Sequence, residues 1–419
     1  MAFLNLAPRR LALAAAVLIT GCATTGIESP DTFPGPRLPP DLSRPGQPGR
    51  ETPPATSTGT PGTNQPAAGP LTPPAVAAPS EREIKSMIGR LLPGGIKDRS
   101  GWVDDLYNAF AALGLPHAAP VYCTVIAVTE QESSFQADPV VPGLPAIVWR
   151  ELETRGARYG VPSLLISAAM LKNSPDGRSY KQRIDSLRTE KELNRLFEDM
   201  ISELPFGKQL FVDQNPVRTA GPMQVSIAFA EEHARERRYP YPIGGSLREE
   251  VFTRRGGLYF GSAILLDYPA PYTEVVYRFA DFNAGRFSSR NAAFQSALAW
   301  VAGKPLTLDG DLMRYAKGKP VDAPSTVEST LRSLGRSLRL SDNEIRRDLL
   351  LEKTAAFSDS PVYTRLFALA EQRAGRPLTR QVMPQIDLKS PKITRKLTTE
   401  WFAQRVEGRF RTCLGRNSS

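Results

Sequence analysis

Proline sets the first limit on this fold. Fifteen of the chain's 38 prolines lie between residues 27 and 79, mixed with Gly, Ser and Thr and few large apolar groups. Proline removes backbone donors, and so little apolar surface cannot offset chain entropy, so residues 22–79 read as a disordered, partly polyproline linker. As a flexible coil it would span on the order of 40 Å. From Ser80 the pattern changes. Ser80-Glu81-Arg82-Glu83 has the form of a capping box, and Ile84, Met87, Ile88, Leu91 and Leu92 follow at helical spacing. The same period recurs over Trp102 to Leu113, Pro120 to Ser133, Ile147 to Tyr159, Ser163 to Leu171, Ser186 to Leu204, Val225 to Arg237 and Leu247 to Tyr268, while strand-like alternation is rare. The chain is therefore expected to be mainly α-helical, with one helical domain over residues 80–317 and further helices over 318–419. A second capping box at Ser341 to Glu344 belongs to that last part. It is either a separate subdomain or a cap on the first, and its basic, amphipathic tail from Ile393 to Cys413 reads as a solvated face.

Residues 1–21 read as an export signal. Arg9 and Arg10 supply the positive flank, and Leu11 to Thr20 is an apolar run too short to cross a bilayer. The small residues of Ile19-Thr20-Gly21-Cys22 close it. This resembles the bacterial lipoprotein signal, which implies cleavage before Cys22, lipidation of that cysteine and a membrane anchor. Ala23 follows it, not the aspartate associated with inner-membrane retention. The expected location is the periplasmic face of the outer membrane of a Gram-negative bacterium, with residues 22–79 as a tether.

The formal charge of +10 falls to +8 once residues 1–21, with Arg9 and Arg10 and no acids, are removed. A basic exported chain suits an anionic polymer such as the cell wall, and nucleic acid is not an expected partner. With Cys22 committed to lipid, Cys123 and Cys413 remain. In an oxidising compartment they form either a disulfide or two buried thiols, and spacing does not choose between these. The two histidines, His117 and His233, and the absence of cysteines at ligand spacing argue against a metal site, and neither histidine sits in a nucleophilic-triad setting. No cofactor is implied. Gly256-Gly257-Leu258-Tyr259-Phe260-Gly261 lacks the Lys-Ser/Thr of a phosphate loop and reads as small residues that permit close helix packing.

Three constellations carry chemistry. In Thr129-Glu130-Gln131-Glu132-Ser133-Ser134-Phe135, Val121, Val125 and Val128 define an apolar helix face, and Glu132 comes back to within roughly 20° of Val121. A carboxyl group thus continues the apolar stripe, as a general acid requires, whereas Glu130 points away toward water. The plainer reading is that Glu132 ends the helix and meets an arginine. The second constellation is Thr219-Ala220-Gly221-Pro222-Met223-Gln224-Val225, where Gly and Pro let backbone approach a ligand and Gln can both donate and accept. The third is Phe279-Ala280-Asp281-Phe282-Asn283-Ala284-Gly285, in which Asn283 extends an apolar face and Gly285 is placed to end a helix.

In this order, Glu132-Ser133, Gly221-x-Met223-Gln224 and Asn283-Ala284-Gly285 resemble the three signature motifs of lytic transglycosylases with the goose-type lysozyme fold. Phe135, Asp138-Pro139 and Arg255 to Gly261 extend the resemblance, which covers residues 118 to 305. The chain also resembles an uncharacterised proteobacterial lipoprotein family carrying these signatures. The resemblance implies a lysozyme-like helical domain acting on peptidoglycan glycan strands. Glu132 would protonate the oxygen leaving N-acetylmuramic acid and then deprotonate the sugar's C6 hydroxyl, giving a 1,6-anhydro product. Gln224 and Asn283 would position the sugar, Ser133 would orient the glutamate, and Met223 with Gly221 would shape the groove floor. Two departures stand out. Residues 140–215 read as a helical insertion, and Phe282 stands where the family has a tyrosine. A hydrolytic muramidase would need a second acid, for which Asp281, on another helix face, is a poor candidate. A non-catalytic peptidoglycan-binding lipoprotein is the remaining alternative.

Overall fold

The computed structural model of the chain describes residues 79–206, 215–316, 318–388 and 397–417. The export signal, Cys22 and the linker up to residue 78 lie outside these. The described residues are mainly helical, with three two-residue antiparallel ladders. The first helix, α1 (Glu81–Leu91), begins at the expected capping box: the Ser80 hydroxyl accepts from the Glu83 N–H, and Glu83 accepts from the Ser80 N–H at 2.8 Å. It is followed by α2 (Arg99–Leu113) and α3 (Ala119–Ser133).

Sequence periodicity predicts one apolar face on α3, and here the structure differs. Val121, Tyr122, Cys123, Val125, Ile126, Ala127 and Val128 are all buried, so the helix is covered on every side. The reason is tertiary: α1, a helix over Arg254–Leu266 and the last helix, over Thr399–Asn417, all pack on it. A helix apolar all round belongs at the centre of a core.

The described residues of the 140–215 segment, 140–206 and 215, are mainly helical as expected. They contribute α4 (Leu144–Arg158), α5 (Ser163–Ala169), α6 (Tyr180–Asp185) and α7 (Glu190–Ser202). The helix read over Ser186 to Leu204 starts later, because Thr189 and Glu192 form their own capping box. Thr189 also donates to Asp138 Oδ2 at 3.1 Å, and Asn215 donates to Asn194 at 2.8 Å, so both ends of the segment are tied back to its body.

A hairpin of β1 (Thr219–Ala220) and β2 (Val225–Ser226), paired Thr219 to Ser226 and Ala220 to Val225, precedes α8 (Ile227–Glu236). The single helix read over Leu247 to Tyr268 is two, α9 (Leu247–Val251) and α10 (Arg254–Leu266). The break comes where the Thr253 hydroxyl accepts from the Gly256 N–H at 3.0 Å. Then comes α11 (Val275–Ala284), which ends at Gly285 as expected.

Beyond it, α12 (Ser288–Ala302), β3 (Tyr315–Ala316), β4 (Lys319–Pro320), α13 (Thr326–Ser333), α14 (Gly335–Leu338), α15 (Asp342–Leu349) and α16 (Pro361–Ala374) surround a second apolar core. That core runs from Ala293 to Ala370, so the 317/318 division passes through it. After the ladder of β5 (Asp387–Leu388) with β6 (Leu397–Thr398), α17 (Thr399–Asn417) returns to the first core through Phe402, Ala403, Val406 and Cys413. Cys123 and Cys413 are joined as a disulfide with their Cα atoms 5.6 Å apart. The described tail is therefore amphipathic as read: its apolar face is a core face sewn to α3, while Gln404, Arg405, Arg411 and Thr412 are exposed. Its arginines serve as partners: Arg416 donates to the Leu91 carbonyl at 2.9 Å.

Candidate functional site

The residue types at the end of α3 force an abrupt stop. Ser134 and Phe135 both have positive φ, 50° and 61°, and the Ser134 N–H closes the helix on the Glu130 carbonyl at 3.2 Å. Left-handed backbone in residues other than glycine costs on the order of 1–3 kcal/mol each and survives only where surroundings enforce it. The Phe135 ring supplies that enforcement: it is buried edge-on to Trp102, with ring centroids 5.0 Å apart. Glu132 therefore sits half-buried two residues before a strained reversal, at the rim of the core. Ser133 is buried and its hydroxyl donates to the Thr129 carbonyl at 3.1 Å. Glu130 does not point into water. It lies 3.3 Å from Arg416 and 3.8 Å from Arg409 of α17, so Glu130 meets arginines.

The second constellation is the loop of the β1–β2 hairpin, and its small residues are steric requirements. Gly221 has φ 75°, and a Cβ there would lie 2.2 Å from the Val251 carbonyl oxygen. Pro222 and Met223 seat on α10 at Gly257 and Gly261, where Cβ atoms would approach Pro222 Cδ to 2.4 Å and Met223 Sδ to 2.3 Å. The Gly256–Gly261 segment is thus the close-packing surface its composition suggested. Met223 is fully buried against it, a support for the loop more than a surface open to a ligand. Gln224, at φ 50°, is half-buried at the loop's end. It accepts from the Thr219 hydroxyl at 3.0 Å, and its amide N–H faces the Gly221 carbonyl at 3.4 Å.

In the third constellation Asp281 and Asn283 have separate tasks. Asp281 is buried and accepts from the Tyr272 hydroxyl at 2.6 Å, the Tyr268 hydroxyl at 3.1 Å and the Phe287 and Ser289 N–H groups at 2.7 Å each. Burial raises its carboxyl to about 6 against these donors. Those bonds tie α11 to the start of α12, and they occupy the carboxylate that a two-acid mechanism would require. Asn283 is half-buried and its Oδ1 accepts from the Thr399 hydroxyl at 2.8 Å. Phe282 packs against the main core.

One helix gathers the three: α10 packs on α3, on β2 and on α11. Glu132, Gln224 and Asn283 share the same degree of half-burial on these neighbours. The histidines play other parts. His117 shares a 2.6 Å hydrogen bond with the Tyr122 hydroxyl, and His233 is buried beside Tyr259, its proton affinity lowered to about 4 by burial and the nearby Arg286 and Arg237. Among the described residues no three His, Cys, Asp or Glu side chains cluster to hold a metal, and no helix is long and apolar enough to cross a membrane. Thr399 is the site neighbour that sequence reasoning missed. Thr398-Thr399-Glu400 is a plausible helix start, but its contact with Asn283 spans 116 residues and leaves no local signal.

Comparison with known proteins gives the chain a family and leaves its chemistry open. No solved structure matches it. The uncharacterized protein YaiW of Escherichia coli (strain K12) is 47% identical over 332 residues, covering 79% of this chain and 90% of that protein. The family described as "Protein of unknown function (DUF1615)" matches residues 95–416. The match spans the second apolar core, the first core from Trp102 onward and the three constellations, so the chain belongs to the DUF1615 family.

Proposed function

We propose that this protein is a lysozyme-like, lipid-anchored lytic transglycosylase that cleaves the MurNAc–GlcNAc bond of peptidoglycan with Glu132 as its single acid and base. The observation that carries the reading is the gathering of the three motif-bearing segments on α10, with Glu132, Gln224 and Asn283 each half-buried and Asp281 turned away into its own network. A single acid, Glu132, suits a reaction in which the substrate's C6 hydroxyl is the nucleophile. Glu132 donates its proton to the glycosidic oxygen and then takes the proton of that hydroxyl as it attacks C1, so the bond broken is C1–O4 and the bond formed is C1–O6. The Asn283 amide, its oxygen held by Thr399, offers N–H donors to the sugar, and Gln224 is held at the hairpin's end beside it in the motif order.

One observation favours a second reading, a peptidoglycan-binding lipoprotein without turnover. Phe282 offers no hydroxyl where the resembled family has one. Digestion of purified sacculi with the full-length protein and its Glu132→Gln variant decides between the two. Anhydro-muropeptides from the wild type alone support the transglycosylase, and retention on sacculi with no product from either chain supports the binding module.

A further inference from the structure

A cleft of about 490 Å³ opens in the second core between α12, α16 and the turn after α16. Its size falls within the range of small-ligand sites. The apolar side is Ala297 and Leu378, with Trp300 projecting at the end of α12, half of its surface exposed. The polar side is Arg373, Arg376, Ser296 and Thr379. The cleft exists because α12 presents small residues, Ala293, Ser296 and Ala297, toward α16.

Two features of this cleft point to a ligand. An exposed indole at a concave surface is costly unless something covers it, and its electron-rich face suits the C–H-lined face of a pyranose ring. The charges have one sign. Arg373 uses one N–H on the Val301 carbonyl at 2.8 Å, which fixes the guanidinium at the cleft, and Arg376 has no ion pair among the described residues. No acid lines the cleft. Glu371, the closest in sequence, is bound instead to Arg380 at 2.9 Å and to the Leu378 N–H at 3.0 Å. Two guanidinium groups with no internal counter-ion select a carboxylate or phosphate, and the planar fork matches either in bidentate fashion.

We propose that this cleft is a second binding site, on a different core from Glu132, for a glycan unit whose attached peptide carries a carboxylate: Trp300 stacks on the sugar ring and Arg376, with Arg373, pairs with the peptide carboxylate. The preference for such a glycopeptide over a nucleotide rests on the exported, wall-facing reading of the chain; the site itself does not depend on Glu132 being catalytic. Such a site would hold a glycan strand while Glu132 acts elsewhere along it.

The test is calorimetric titration of the full-length protein, in the Glu132→Gln background so that nothing is turned over. The probes are a soluble disaccharide-peptide muropeptide, the same muropeptide with its carboxyls amidated, and adenosine monophosphate. The expected result is a binding event for the acidic muropeptide, additional to any at the Glu132 groove, that weakens at least tenfold on amidation, disappears in Trp300→Ala and loses its acid preference in Arg376→Ala, both variants melting as the parent does. Binding left unchanged by both substitutions, absence of binding by any chain, or tighter binding of the nucleotide would overturn the proposal. Wild-type cleavage with an unchanged Trp300→Ala isotherm would sink this site alone, whereas Trp300-dependent binding without cleavage by the wild type would sink the transglycosylase alone.

Discussion

At the residue scale the account rests on a few side chains with no room for alternatives. Gly221 combines a positive φ with a Cβ position 2.2 Å from the Val251 carbonyl oxygen, so Gly221→Ala should cost about 2 kcal/mol or more, read as a lower denaturation midpoint at unchanged slope. A substitution that leaves the midpoint unmoved would show that the hairpin does not need its present seat on α10. Phe282 is the opposite case, a position where a group is missing. If the resembled tyrosine contributes one hydrogen bond near the carboxyl, Phe282→Tyr should raise the rate of anhydro-product release about tenfold, the kinetic equivalent of roughly 1.4 kcal/mol. The half-burial of Glu132, the turn after Gly221 and the separate faces of Asp281 and Asn283 were legible in the sequence, because each follows from helical spacing or a backbone demand. The partner of Glu130 was not: Arg409 and Arg416 stand some 280 residues later, and helical spacing alone predicted water there.

At the scale of elements, local rules located most helices and misplaced what depends on packing. The capping boxes at Ser80 and Ser341 start helices as read, since both hydrogen bonds of each box are set by four consecutive residues. The Leu247 to Tyr268 pattern concealed a break because its apolar period continues across Thr253, whose hydroxyl caps a new helix. Periodicity assigned one face to α3 because it cannot see that α17 returns to cover the other. Buried carboxylates also organise elements. Glu352 is fully buried and accepts from the Leu312 and Met313 N–H groups and the Tyr315 hydroxyl, fastening the β3 segment to the end of α15. Burial raises its carboxyl from 4.5 to about 7. Between those values the unfolded chain has released a proton that the folded chain keeps, so stability is present in full below pH 4.5 and is lost as pH rises toward about 7. The slope for one such group is at most about 1.4 kcal/mol per pH unit. Urea midpoints measured from pH 5 to 7 should fall for the wild type and fall less steeply for Glu352→Gln; equal slopes would show that Glu352 does not carry the effect.

At the scale of the whole molecule, the two apolar cores and the returning tail make one connected body of described residues. The sequence divided the chain at residue 317, near a turn. It could not reveal that the apolar residues of α12 belong with α13 to α16, nor that α17 belongs with α1 and α3, because both are matters of long-range packing. The Cys123–Cys413 bond closes a loop of 290 residues and joins the tail to the helix that carries Glu132. By the chain-entropy relation such a closure contributes on the order of 5 kcal/mol, so Cys413→Ser or prior reduction should lower the unfolding free energy by an amount of that order and loosen α17 first in hydrogen exchange. Unchanged exchange in α17 would mean that Phe402, Ala403 and Val406 hold the helix without the bond. The same helix sets Asn283 through Thr399, which makes the tail part of the site's scaffold. We propose that Glu132 alone performs acid and base chemistry on a peptidoglycan strand. The most direct measurement is mass analysis of muropeptides released from sacculi by the full-length protein and by Glu132→Gln: 1,6-anhydro-muropeptides from the wild type, and none from the variant, is the predicted result. Reducing-end products, anhydro-products from both chains, or no product from either would contradict it.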